Sequence, residues 1–182
     1  MATKTLLTIE QYAALDGPAG LRYELSRGEL IVTPSPSYLH NRMRDQFNAR
    51  LRAFLDAHPH GEVTSGTDMT LDADTVRRSD IAYIRKERLE GTDVERVPLP
   101  IAPDLAIEIV SKNDCANDLN LKASQYLQAG VQAVWLFFVP APNSPTAMFR
   151  ANSVPRFAAP RRVTGSKSRN CSADFPCLFL KS

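Results

Sequence analysis

Apolar and polar positions alternate from Asp104 to Val110 in "DLAIEIV", placing Leu105, Ile107 and Ile109 on one face and Asp104, Ala106, Glu108 and Val110 on the other. The pattern predicts a buried strand, in which Glu108 is out of character. "SDIAYI" is short and β-branched in the same way, and "EVTSGTDMTL" precedes it as a further strand candidate. A period near four takes over from Ser37: Leu39, Met43, Phe47, Leu51, Phe54 and Leu55 form a helical stripe up to "HPHG", with Arg42, Arg44, Arg50 and Arg52 largely off it. A second helix is expected over Asp114 to Gly130, with Leu119, Ala123, Tyr126 and Leu127 inward and Gly130 ending it. "RYELSRGELIVTP" reads as a hairpin turning at Ser26 to Gly28 and stopped by Pro34 and Pro36, and "TIEQYAAL" as a short helix with Thr8 and Gln11 at capping-box spacing. "VQAVWLFFV" and "TAMFR" add two strands. The order helix, hairpin, helix, three strands, helix, strand, strand predicts an α/β fold, a mixed β-sheet flanked by helices. Active groups then belong where central strands meet the helix that follows them.

With 182 residues, 43% of them hydrophobic, one domain with a real core is expected. Cys115, Cys171 and Cys177 are an odd set without a CxxC pair, which argues against a disulfide framework or a zinc knuckle and for a reducing compartment. No leader and no membrane-length apolar run stands out, so the expected location is cytoplasmic. The net charge of +2 singles out no partner, but it is unevenly spread. The poorly patterned segment 151–182 carries Arg156, Arg161, Arg162, Lys167, Arg169 and Lys181 against Asp174, a net +5 that leaves −3 for residues 1–150. Such a tail is either a solvated extension or a contact for nucleic acid. Its late apolar patch, "FPCLFL", fits no element.

Glu108 invites a search for a second acid. Asp104 shares its face, but four residues of strand separate the two by about 13 Å, too far for one cation with ligands at about 2 to 2.5 Å. Asp104 is therefore read as the residue that starts the strand. The partner must come from a neighbouring strand, where Asp80 of "SDIAYI" is the acid in an otherwise apolar setting. Two buried carboxylates side by side are costly unless a cation or hydrogen bonds compensate, which points to a hard divalent metal; the alternative is that each pairs with an arginine at a sheet end. Lys122, three residues from Leu119 and four from Tyr126, borders the buried stripe of the second helix and can lean toward those acids. Glu24 in "RYEL" is either a further acid of the site or a surface glutamate. His40, near the start of the long helix, is placed to face the cleft. His58 and His60 flank a proline at a helix end and read as surface residues, and Cys115 has no base near it in sequence.

The strings "YELSRGELIVTPSPSYLHNRM", "RRSDIAYI", "APDLAIEIVS" and "LKASQYLQAGVQAVWLF" together resemble the Uma-two restriction endonuclease family of the PD-(D/E)xK nuclease superfamily, from about Leu7 to Val139. The resemblance implies a restriction-endonuclease-like core in which Asp80 and Glu108 bind Mg²⁺, or Mn²⁺, with the Ile109 carbonyl as a further ligand and Glu24 supporting. The superfamily's lysine stands two residues after the glutamate, where this chain has Val110. The family supplies it from the following helix, where Lys122 lies, with Lys112 the runner-up. Ser79 replaces the proline before the aspartate, and Val139 stands where the family often has an aspartate. The expectation is a Mg²⁺-dependent endonuclease cleaving DNA, acting by analogy as a homodimer. Its rivals are an inactive nuclease-fold module that binds nucleic acid or a protein, and a domain whose acids bind metal for stability alone.

Overall fold

The long helix and the strand of Glu108 pack on each other because the stripe of one meets the apolar face of the other. In the computed structural model, residues 6–18, 20–111, 114–138 and 147–151 are described, the last stretch as backbone. Lys112, Val139, the two late cysteines, the basic residues of the tail and "FPCLFL" lie outside them.

Helix α1 (Ile9–Ala13) opens with the expected capping box of Thr8 and Gln11. Strands β1 (Leu21–Ser26) and β2 (Glu29–Pro34) form the hairpin. Arg27 (φ 51°) and Gly28 (φ 78°) both take the left-handed backbone that a two-residue hairpin turn requires. Helix α2 (Tyr38–Ala57) starts at Ser37, whose Oγ accepts from the His40 N–H at 3.3 Å and so fixes His40 in the first turn.

The predicted strand "EVTSGTDMTL" is two: β3 (Gly61–Thr64) and β4 (Asp68–Asp72), parted by a turn with Gly66 at φ 65°. They belong to different sheets. Alternation looks the same on both sides of that turn, so the periodicity alone does not reveal the change of partner. A strand absent from the expectation, β5 (Thr75–Arg78), follows; its "TVRR" looks solvent-facing, yet Arg77 is buried. Next come β6 (Ile81–Arg85), the single-turn α3 (Lys86–Leu89), β7 (Leu105–Val110), α4 (Ala116–Gln128), β8 (Ala133–Phe138) and β9 (Ala147–Ala151).

A four-stranded antiparallel sheet has the order β2-β1-β5-β4, and a five-stranded mixed sheet the order β3-β6-β7-β8-β9, with β7 and β8 parallel across α4. Helix α2 covers one face of the mixed sheet: Phe47, Leu51 and Leu55 pack on Val63, Ile81, Ile107 and Phe137. Helix α4 covers the other, with Ala123 and Tyr126 against Ala106, Val110, Val134 and Leu136. Complete burial of Ile81, Ile107 and Leu136 contributes roughly 1.5 to 3 kcal/mol for each side chain. Helix α1 closes the outer face of the antiparallel sheet through Tyr12 on Leu25 and Val76. The inner face of that sheet, carrying Glu24, Ser26 and Arg77, meets the polar side of α4. Among the described residues no helix is long and apolar enough to cross a membrane.

Close approach of β3 to β6 rests on Gly61, where a Cβ would fall on the Ile84 carbonyl oxygen. Gly61→Ala is expected to lower the unfolding free energy by about 2 kcal/mol or more. Chemical denaturation read by tryptophan fluorescence measures it; an unchanged midpoint would mean that β3 shifts freely.

Candidate active site

Strand β6 pairs with β7 as Ile81↔Ile107, Ala82↔Ala106 and Tyr83↔Leu105. One step further along this register, Asp80 stands opposite Glu108, and cross-strand partners share a face of the sheet. That face is the one α4 covers, so both acids come up under the helix. On α4, Lys122, Gln125 and Tyr126 follow the i, i+3, i+4 spacing that puts them on one side.

The Lys122 ammonium lies 2.8 Å from Glu24 Oε1 and 3.0 Å from Glu108 Oε1, and donates to the Arg78 carbonyl at 2.9 Å. Tyr126 donates its hydroxyl to the same Glu108 oxygen at 3.1 Å. Glu24 also receives Arg77 Nη1 on Oε2 at 2.7 Å and the Arg78 N–H on Oε1 at 3.0 Å. Arg77 is held all round, its Nε on Gln125 Oε1 at 2.7 Å and its Nη2 on Ser26 Oγ at 3.1 Å, while Gln125 reaches the same Ser26 oxygen at 2.9 Å. Asp80 Oδ2 accepts the Ile109 N–H at 2.8 Å and lies 3.1 Å from His40 Nε2. Arg22 Nη1 is 3.6 Å from Asp80 Oδ1.

These surroundings split the three acids. Burial works against the charge of Glu24, but Lys122 and Arg77 outweigh it and its carboxyl ends below the usual range. Burial likewise opposes Asp80, and the hydrogen bond and charge of His40, the Ile109 N–H and Lys122 bring it below its usual value. Glu108 goes the other way: burial, with the neighbouring charges of Asp80 and Glu24, pushes it up to about 8 despite Lys122. Burial lowers the affinity of Lys122 for its proton, but Glu108 and Glu24 more than restore it, so the ammonium is firmly charged. Tyr126 is raised well above a free phenol by burial and by Glu108, and acts as a neutral donor.

The residues named from sequence thus come together from β1, the start of β6, β7 and α4. Asp104 does not join them: it is bound to Arg85 (2.9 Å) and Arg88 (3.3 Å). Pairing with an arginine, the alternative for Asp80 and Glu108, holds for Asp80 only as the 3.6 Å approach of Arg22, whereas Glu108 contacts Lys122 and Tyr126. His40 faces the site as its place in the chain suggested. His58 is exposed at the end of α2, its Nδ1 2.9 Å from the Phe54 carbonyl. Gln125, Arg77 and Arg22 were not picked out by sequence, and Tyr126 was read only as an inward helix residue, not as part of the site. Spacing was the available signal for three of them, Arg22 lying two residues before Glu24 on a strand and Gln125 and Tyr126 one turn after Lys122; "TVRR" gave none for Arg77.

The donor chemistry suits a hard cation. Carboxylate and backbone oxygens gather where burial, with the charges of Asp80 and Glu24, pushes Glu108 up to about 8, a situation a divalent ion relieves. Among the described residues no three His, Cys, Asp or Glu side chains form a ready metal cage. Two carboxylates with water in the remaining positions is how Mg²⁺ is commonly held.

Comparison with known proteins adds three findings. The model of the Uma2 family, described as "Putative restriction endonuclease", matches residues 9–156. A solved structure described as "a putative nuclease belonging to DUF820", from Anabaena variabilis ATCC 29413, aligns with TM-score 0.63 at 20% identity, covering 79% of this chain and 84% of that one. At that identity the likeness carries the fold. No curated protein matches the chain.

Proposed function

The chain belongs to the Uma2 restriction endonuclease family, and from that premise we propose that it is a Mg²⁺-dependent endonuclease hydrolysing phosphodiester bonds in DNA. The reading is carried by one observation: Lys122 is clamped between Glu24 and Glu108, at 2.8 and 3.0 Å, at the strand end where Asp80 meets the Ile109 backbone. Asp80, Glu108 and the Ile109 carbonyl would hold the ion. When bound there, Mg²⁺ or Mn²⁺ lowers the pKa of a coordinated water and offsets charge on the phosphorane-like transition state. The side chains have separate tasks. His40 and the Ile109 N–H fix Asp80 in its ionised form with one oxygen engaged. Glu24, anchored by Arg77 and the Arg78 N–H, holds the lysine in place. Lys122 presents its charge beside Glu108, where the attacking water and the scissile phosphate are to be polarised. Tyr126 keeps the Glu108 carboxyl from swinging away. Cutting both strands of a duplex calls for two such sites, which a symmetric homodimer supplies.

The test is cleavage of mixed single- and double-stranded DNA by the full chain with Mg²⁺ or Mn²⁺, beside an EDTA control and Glu108→Ala. Metal-dependent products that vanish in both controls are expected. Binding without products in any metal would instead favour a nuclease-fold module that holds nucleic acid.

A further inference from the structure

Resting on the nuclease reading, and deepening it, we propose that Arg22 is the residue that grips a non-bridging oxygen of the substrate phosphodiester at the open edge of the site. The other cations around the acids are turned to protein partners. An ammonium has three N–H donors, and those of Lys122 meet Glu24, Glu108 and the Arg78 carbonyl. Arg77 is buried and spends its guanidinium on Glu24, Gln125 and Ser26. Arg78 turns its side chain to Asp68, with Nη2 at 2.7 Å. A phosphodiester arriving at three carboxylates needs a cation that can still donate.

Arg22 meets that need. It stands two residues before Glu24 on β1, hence on the same face of the strand. Along that face Ser26 is buried and side-chain exposure rises from 12% at Glu24 to 26% at Arg22, so the site opens toward solvent at Arg22. Its nearest acid oxygen, Asp80 Oδ1, is 3.6 Å away, a Coulombic neighbour beyond hydrogen-bond distance. Asp80 already has His40 and the Ile109 N–H at bonding distance on its other oxygen and does not depend on Arg22 for its charge. A guanidinium with no hydrogen-bond partner among the described residues, its side chain about a quarter exposed beside the acids, matches the two-pronged geometry of a phosphate.

The experiment measures binding of a fluorescein-labelled DNA duplex to the full chain by anisotropy, with Ca²⁺ in place of Mg²⁺ and KCl varied, for the parent, Arg22→Met and Arg22→Lys. Mn²⁺-dependent cleavage and the melting shift produced by Mn²⁺ are recorded alongside. Arg22→Met should raise Kd about tenfold and reduce the slope of log K against log salt by about 0.9, one phosphate contact fewer. Arg22→Lys should recover the slope but only part of the affinity, since a point charge cannot bind in two prongs. The Mn²⁺-induced melting shift should match the parent's in both. Unchanged affinity and slope in Arg22→Met would overturn the assignment while leaving a cleaving parent as a nuclease. Loss of the Mn²⁺ shift would also overturn it, making Arg22 a counter-ion that acts through Asp80. A parent that neither binds nor cuts DNA or RNA would remove the nuclease reading, and Arg22's role with it.

Discussion

Glu108→Gln is expected to abolish cleavage, by about 10³-fold or more, and at the same time to stabilise the metal-free protein at neutral pH. The two effects share one cause. Glu108 is placed where its charge is unwelcome without a cation, and its carboxyl is pushed up to about 8 by burial and by Asp80 and Glu24. In the unfolded chain the same group titrates near its ordinary value. Below about pH 4 both states hold the proton and pH has no influence through this residue. Between the two values the unfolded state has released the proton and the folded state has not, so stability falls as pH rises, by roughly 3 to 5 kcal/mol in all, and levels off above about pH 8. Glutamine keeps the shape and cannot ionise, which removes that slope. Thermal melts in EDTA at several pH values should therefore place Glu108→Gln above the parent by several degrees at pH 8 and level with it at pH 4. Added Mn²⁺ should raise the parent's melting temperature and leave the variant's unmoved. A parent curve flat across this window would mean that Glu108 is already ionised in the metal-free fold, with no burial and charge cost left for a metal to relieve.

Lys122→Met should lower kcat by about 10²-fold or more, because a methionine keeps the apolar stem and removes the ammonium beside Glu108. It should also destabilise the metal-free protein by about 3 kcal/mol, since Lys122 is shared by two buried acids and its loss leaves Glu24 to Arg77 and the Arg78 N–H alone. Glu108 relieves its own share by holding its proton more tightly. Cleavage rates at saturating Mn²⁺, measured well below the variant's melting temperature, separate the catalytic loss from the structural one. Lys112→Met, made in parallel, is expected to keep most of the activity. A fast Lys122→Met beside a dead Lys112→Met would make Lys112 the catalytic cation.

These expectations differ from what spacing alone would suggest, because the acids are unlike one another. By sequence Glu24, Asp80 and Glu108 are three carboxylates in apolar strands. Glu24 has two cations and a backbone N–H at hydrogen-bond distance, Asp80 has a histidine and a backbone N–H, and Glu108 has half of one lysine and a phenol. Partner count, set by packing, turns the first two into fixed anions and the third into a proton holder.

What the chain determined by itself is what depends on near neighbours. The alternation of "DLAIEIV" put Glu108 on the face opposite Ile107, the helical stripe from Ser37 set the length of α2, and the spacing of Lys122 from Leu119 and Tyr126 turned the lysine toward the strand end. Even the separation of Asp104 from Glu108 followed from the rise of a single strand, and the structure gives Asp104 to Arg85 and Arg88. Such properties are periodic, and a period is written along the sequence. The tertiary structure decided what periodicity does not encode: that "EVTSGTDMTL" splits between two sheets, and that the unpromising "TVRR" becomes a strand whose Arg77 is buried against Gln125 and Ser26. It also decided that Arg22 stands at the open edge of the acid cluster. Each of these depends on which surface arrives from tens of residues away, and a buried arginine is written with the same letter as an exposed one.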